Sequence, residues 1–279
     1  MKKFVNDPQQ FVPEMLKGVE LANPGTLKYV PEYNLIMRAD APRDDKVSIV
    51  QGSGSGHEPA HVMAVGPGML DAACPGDVFS APPSDYVYET TKLMASAKGV
   101  LHIINNYTGD RMSFDMGKEL AEAEGINIAT IIVDDDVAVK DSTYTVGRRG
   151  VAGNFFVIKA VGAASEQGAS LEELVELGNK VNSVTRTMGM ALTSCTPPAK
   201  GSPLFDLGDD EMEMGVGIHG EPGRSREKLA DAGINVTRSY VGEYCTSLDM
   251  AGASLTLVKL DDELNSLFDA PAAVAVRIF

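Results

Sequence analysis

Apolar residues along this chain fall into two kinds of run. Three are short and nearly continuous: "DKVSIVQG" (45–52), "GVLHIINNY" (99–107) and "INIATIIVD" (126–134). Runs without polar alternation read as strands covered on both faces. The others are longer and amphipathic, with helix punctuation at their ends. Asn6 or Asp7 before Pro8 marks a helix start, and the helix runs to about Ala22, where "NPG" breaks it. Ser84, after Pro82 and Pro83, is placed to cap "DYVYETTKLMAS". Ser113 is placed to cap a helix through Glu124, with Gly125 as its stop. "GVAGNFFVIKAVGAASEQG" (150–168) reads as a glycine-rich helix. "SLEELVELGNKVNSV" (170–184) reads as another, opened by Ser170 and Glu173 in a capping-box pattern.

Strands alternating with helices predict an α/β fold with a mostly parallel sheet. "TSCTPPAKGSPLFDLGDDEM" (193–212) is loop-like and suggests a boundary near 185–195. Beyond it come short strands, "EMGVGIH" (213–219), "INVTRSYVG" (234–242) and "ASLTLVKL" (253–260), and a final helix from about Asp261. The expectation is two α/β domains, 1–187 with the mostly parallel sheet and 188–279 with a mixed sheet. Ligands of parallel sheets gather at the carboxyl ends of the strands. "GSGSGHEP" (52–59), "NNYTGD" (105–110) and "DDDVAVKD" (134–141) stand at those ends.

Composition narrows the function. A net charge of −15 argues against nucleic acid and anionic membranes, which select Lys and Arg. No apolar run approaches the ~20 residues of a membrane helix. "MKKFVNDPQQ" has no apolar stretch behind its lysines, so it is not read as a signal peptide and a cytoplasmic protein is expected. Cys74, Cys195 and Cys245 are far apart without a CxxC, which fits structural thiols in a reducing compartment.

Two of the four histidines have near-identical settings: "GHEP" at 56–59 and "HGEP" at 219–222. The glycine loop before His57 is not a dinucleotide fingerprint, because His57 stands where glycine is needed and Pro59 obstructs the helix entry. No Walker A ending is present. A zinc helix over "HEPAH" is read as excluded by a spacing one residue too short and by its proline, and no metal is expected. Gly217 and Gly220 leave the His219 ring little shielded, and a neutral imidazole is a base, a nucleophile or a ligand. His102 reads as a packed strand residue. His61 shares a face with His57 only if that segment is helical. Asp110 is either solvated on its loop or, near an alcohol, an acceptor of the hydroxyl proton. Asp134, Asp135 and Asp136 favour solvation or helix capping over metal binding.

"GSGSGHEPAH", "GMLDAACPGDVF", "NYTGD", "EMEMGVGIHGEPG" and "YCTSLDMAG" together resemble the substrate-binding subunit of dihydroxyacetone kinase, over nearly the whole chain. The resemblance implies a kinase subunit inactive alone. His219 would hold the ketotriose as a covalent hemiaminal. His57 would hydrogen-bond the substrate and assist as acid or base, and Asp110 would orient or deprotonate the accepting hydroxyl. Gly54, Ser55, Gly56 and His57 would line the substrate loop. It implies no cofactor in this chain, and magnesium with ATP or ADP on a separate nucleotide-binding subunit. A phosphotransferase-system phosphoprotein is a candidate ultimate donor, and a homodimer is implied. Two residues depart from the family: Asn105 replaces a usual, substrate-contacting lysine, and Ser53 replaces a common glycine. A family segment of several dozen residues is also lacking after Gly223. The alternatives are a non-enzymatic dihydroxyacetone-sensing coactivator and a kinase subunit for another small ketose such as erythrulose.

Overall fold

The structure is a computed structural model and describes residues 4–142, 144–228 and 254–258. Asp7 caps the first turn by accepting from Gln9 N at 2.9 Å, and α1 follows at Phe11–Ala22. An antiparallel pair, β1 (Leu27–Val30) and β2 (Leu35–Arg38), comes next. Then come β3 (Ser48–Gln51), β4 (Gly54–Ser55), β5 (Ala72–Ala73) and β6 (Gly76–Val78). They lead into α2 (Ser84–Leu93), β7 (Val100–Asn105), α3 (Thr108–Ala123) and β8 (Ile128–Val133). Helices α4 (Gly153–Glu166) and α5 (Leu171–Val184) precede β9 (Thr185–Ala191). The described chain ends with β10 (Glu211–Met214), β11 (Ser225–Lys228) and β12 (Ser254–Val258).

The main sheet has the order β1-β2-β5-β3-β7-β8. Strands β5, β3, β7 and β8 are parallel, while β1 and β2 form an antiparallel edge. Successive strand residues face opposite sides. Ile49, Leu101, Ile103, Ile131 and Val133 thus pack with α1, α4 and α5. Val50, Val100, Ile104 and Ile128 pack with α2 and α3. This is a three-layer α/β fold with a core on each face. Helix α5 lies so close to the sheet that a Cβ on Gly178 would sit 2.3 Å from the Ile131 side chain.

The second sheet has the order β11-β10-β9-β12. It was expected to be mixed, but its described pairings are all antiparallel. One cause is local: β10 and β11 are joined by residues 215–224 alone, fewer than the dozen or so that a parallel crossover takes. Strand β9 was not foreseen, and the expected 187/188 boundary falls within it. "EMGVGIH" is extended only to Met214, because Gly215 turns the chain with φ of +75°. The strand expected over 253–260 is present as β12. The strand at 234–242 and the helix from Asp261 lie outside the described residues.

Two helix starts also differ from expectation. Ser84 is the first residue of α2 rather than its cap. Helix α3 begins at Thr108, five residues before Ser113, because Tyr107 is extended and Thr108 is held by bonds to the Tyr144 carbonyl. Asp110 is therefore in a helix's first turn, not on a loop. The capping box at Ser170 and Glu173 is present.

A buried charge cluster staples β2, β3 and α4. The Asp71 carboxylate accepts from Lys46 Nζ at 2.6 and 2.8 Å, from Arg38 Nη1 at 3.0 Å and from Ile49 N at 2.8 Å. Arg38 also pairs with Glu166, near the end of α4. Removing one partner of a buried pair strands the other's charge. Asp71→Ala is therefore expected to lower the unfolding free energy in urea by about 3–5 kcal/mol. Arg43→Ala, at the exposed end of the cluster, should cost under about 1 kcal/mol.

Candidate functional site

Three segments meet at the carboxyl edge of the main sheet: the 52–57 loop after β3, the first turn of α3, and the 215–224 turn between β10 and β11. Together with the 192–210 loop they enclose a cleft of about 560 Å³. Ser53, Gly54, Phe79, Tyr107, Asp110, Tyr144, Lys200, Leu204 and His219 are among its lining residues. His57 and Asn105 line an adjoining pocket of about 160 Å³, with His61, Asn154 and Ile218. The rings of His57 and His219 face each other where these spaces meet, with Nε2 atoms 3.2 Å apart.

The protons on these rings follow from their contacts. The Glu221 carboxylate accepts from His219 N at 2.8 Å and lies 3.3 Å from His219 Nδ1. Burial pushes this carboxyl up, but its bonds to His219 outweigh burial and leave it below the ordinary range. An ionised carboxylate only accepts, so Nδ1 carries a hydrogen, and in the neutral ring Nε2 of His219 bears the lone pair. His57 Nε2 must then be the donor across the 3.2 Å contact. Burial first, and then the neighbouring His219 and His61, hold His57 well below its ordinary pKa, so its imidazole is neutral. Its ring stacks on Phe79 at 4.9 Å, and Tyr107 meets His219 edge-on at 4.8 Å.

Asp110 approaches the same cleft from α3. It is 2% exposed, and its Oδ2 accepts from Ser53 Oγ at 2.7 Å. Burial pushes its pKa up to about 7, against the opposing pull of Ser53 and His219. The cleft therefore holds a hydrogen-bond donor, a bare imidazole nitrogen and a carboxyl poised to exchange a proton near neutrality.

The 215–224 turn is held from below. Arg149 is fully buried; its Nε donates to Asp136 at 2.6 Å and its Nη2 to the Gly215 carbonyl at 2.7 Å. Asp136 also bridges in parallel to Thr187 of β9, so it links the two sheets. At Gly217 a Cβ would lie 2.0 Å from Glu221 Oε2 and 2.7 Å from Arg149 Nη1, so any side chain there must displace one of them. The Asp triplet is structural. Asp135 accepts from Val151 N and Gly153 N, each at 2.8 Å, and caps α4, while Asp134 bonds Asn182 and Arg148. Burial raises the pKa of both Asp135 and Asp136.

The structure brings Gly54, Asp110 and His219 to one cleft, sets His57 against His219, and places Asn105 beside His57. The Ser55 hydroxyl is instead turned onto the Gly76 carbonyl at 2.7 Å, and Gly56, with φ of +93°, serves the turn. His102 is packed against Thr91 and Phe114, as expected of a core residue. The residues 57–61 form a turn rather than a helix, and His61 Nδ1 contacts Gln51 Oε1 at 2.7 Å. "HEPAH" does have zinc-helix spacing, but it lacks the helix. Among the described residues no three potential ligands cluster to hold a metal, and no helix is long and apolar enough to cross a membrane. Phe79, Tyr107, Glu221 and the bond from Ser53 were not anticipated. Glu221 was signalled only by its spacing, two residues after His219.

The Dak1 domain family matches residues 17–233 and 225–276. The chain is 44% identical over 315 aligned positions to the PTS-dependent dihydroxyacetone kinase 1, dihydroxyacetone-binding subunit DhaK, of Listeria innocua, covering 94% of this chain and 95% of that one. It is 35% identical to a D-erythrulose kinase of Mycolicibacterium smegmatis, covering 98% of this chain and 56% of that longer one. A solved dihydroxyacetone kinase operon co-activator, Dha-DhaQ, superposes with a TM-score of 0.80 at 30% identity, covering 93% of this chain and 96% of the other. Alignments of 315 and 324 positions exceed the 279 residues here, so these relatives carry stretches with no counterpart. The family match divides into two stretches overlapping at 225–233, which puts a discontinuity just past Gly223.

Asp110 makes a pH-dependent contribution to stability. Above pH ~4 the unfolded chain has released this proton, whereas the fold retains it up to about 7. Its share of stability is thus present at acidic pH and lost as pH rises from about 4 to 7. Asp110→Asn is expected to stabilise the chain at pH 8 by on the order of 1–3 kcal/mol and to change little below about pH 4, by urea denaturation at both pH values.

Proposed function

The chain belongs to the Dak1 domain family, and from that membership we propose that it is the dihydroxyacetone-binding subunit of a kinase. The observation that carries this reading is the bare Nε2 of His219, facing a neutral His57 N–H, with Asp110 in the same cleft. A ketone entering between the rings takes over their contact. Nε2 of His219 adds to the carbonyl carbon, and His57 donates to the carbonyl oxygen as it becomes a hydroxyl. The His219 ring sheds its Nδ1 proton to Glu221, which passes it to solvent, and His57 regains a proton from solvent at its other ring nitrogen, so it ends neutral. In sum the N–H of His219 is exchanged for the O–H of the hemiaminal, and no atom is lost.

A covalent hold suits a ligand this small. Noncovalent contacts yield at best about 1.5 kcal/mol per heavy atom, and a triose has few. Bonding through the carbonyl also rejects glycerol, which has none. With the carbonyl carbon fixed, one arm of the ketose is presented to Asp110, which takes the hydroxyl proton as the phosphoryl group arrives. Positioning of this kind is most of what phosphoryl transfer asks of a protein. The phosphoryl group comes from magnesium-bound nucleotide on a separate subunit. The PTS-dependent Listeria relative supports a phosphotransferase-system phosphoprotein as ultimate donor. A homodimer in the cytoplasm completes the proposal. The co-activator likeness is weighed down by Asp110, since a sensor has no use for a buried carboxyl titrating near neutrality.

A second reading concerns the ketose. Asn105 leaves the 160 Å³ pocket beside His57 open, and two of its lining residues carry buried polar atoms without partners, His61 Nε2 and Asn154 Oδ1. The likeness to a D-erythrulose kinase supports a four-carbon ketose whose longer arm occupies this pocket.

Native intact-mass measurement with dihydroxyacetone is expected to show a gain of one whole triose, without loss of water, absent in His219→Ala. A noncovalent or missing adduct in the parent chain sinks the hemiaminal. With ATP but no partner subunit, no triose phosphate should form. Asn105→Lys fills the small pocket and is expected to shift the kcat/KM ratio towards dihydroxyacetone and away from erythrulose by on the order of tenfold, about 1.4 kcal/mol. An unchanged ratio removes the four-carbon reading.

A further inference from the structure

We propose that Ser53 is a positioning residue for phosphoryl transfer: its hydroxyl pins one oxygen of Asp110 so that the other is presented to the substrate's accepting hydroxyl. The inference rests on the reading of Asp110 as the proton acceptor. Ser53 and Asp110 are both buried, joined by the 2.7 Å bond from Oγ to Oδ2, and both line the cleft with His219. The backbone that carries the serine is itself held: its carbonyl accepts from Gly76 N at 2.9 Å and its neighbour Gly54 pairs with β6. Among the described residues no other side chain donates to Asp110, and its Oδ1 receives no hydrogen bond.

The bond has a chemical direction. A hydroxyl donating to a carboxylate favours the ionised form, which alone can accept a proton. After the proton arrives on Oδ1, Ser53 still donates to Oδ2, so neither side chain has to turn during the reaction. Other titratable groups near the carboxyl do not replace this bond. His219 comes from the 215–224 turn, Cys74 follows β5, Tyr107 precedes α3, and Lys200 lines the cleft from the 192–210 loop. None of them is hydrogen-bonded to Asp110. Ser53 thus offsets part of the burial that raises the Asp110 pKa, and it does so from the position where the family resemblance leads one to expect glycine.

The test is the pH profile of the complete kinase: this chain with its nucleotide-bearing subunit and donor. In Ser53→Ala the acid limb of kcat is expected to move up by about one pH unit, costing on the order of tenfold at pH 6 and less than about twofold at pH 9. Ser53→Thr, which keeps the hydroxyl, should restore the parent profile. In the chain alone, ¹³C NMR titration of the Asp110 carboxyl, assigned with Asp110→Asn, should show the same upward move in Ser53→Ala. A loss of activity equal at all pH values, with an unmoved carboxyl midpoint, would make Ser53 mere packing and overturn the proposal. Asp110→Asn separates the two failures. If it abolishes turnover while the Ser53→Ala midpoint stays put, only the role of Ser53 falls. If it leaves turnover intact, the reading of Asp110 falls and takes this proposal with it.

Discussion

The ion pair between Arg149 and Asp136 fixes how the two sheets meet, and the cleft depends on that. Arg149 is wholly buried; it bonds Asp136 on the main-sheet side and, on the other sheet's turn, the Gly215 carbonyl. The Asp136 segment also bridges to β9. A buried pair of this kind is weak evidence for stability, because desolvation offsets its attraction. Its directional bonds nevertheless specify one docking of the β10–β11 turn against the sheet edge. His219 sits four residues past Gly215, and its 3.2 Å approach to His57 exists only in that docking.

Above this clasp, burial works on each group according to its charge type. It keeps the base His57 neutral and holds the acid Asp110 protonated up to about 7. Glu221 escapes the same penalty because it accepts two contacts from His219. The cleft therefore contains one secure negative charge, and that charge orients an imidazole. Keeping Asp110 in such surroundings opposes folding above neutrality, the familiar trade between a reactive site and a stable one.

Much of the main domain was legible in the sequence, because continuous apolar runs between capped helices have few other readings. β7, β8, α4 and α5 lie within their expected spans. β9 escaped notice because "TRTMGMA" is not a dense β-branched run and directly follows a helix. The start of α3 was misplaced because Ser113 has a capping residue's chemistry, whereas the true start is set by contact with Tyr144, 36 residues away in the chain. For the site, residue type alone left His57, His219 and Asp110 open between bland and reactive readings, and only the family resemblance grouped them. The bond from Ser53 to Asp110 joins residues 57 apart, and no local pattern announces it. The shortening after Gly223 was visible as well. There the chain enters β11 almost at once, and that strand supplies the edge partner of β10.

The two walls around the histidine pair differ in how much change they can absorb. On the His219 side, the missing Cβ of Gly217 leaves no gap between Glu221 and Arg149. Any side chain there displaces the carboxylate that orients the ring, so this wall is closed to gradual variation. On the His57 side, Asn105 ends β7 beside an open pocket, in a strand whose backbone is fully paired with β8. A larger or smaller residue at that position alters the pocket without disturbing the sheet. Diversification of ligand size within this fold is therefore a one-sided process, in which the reactive half is inherited whole and the size of the chamber is rewritten one side chain at a time.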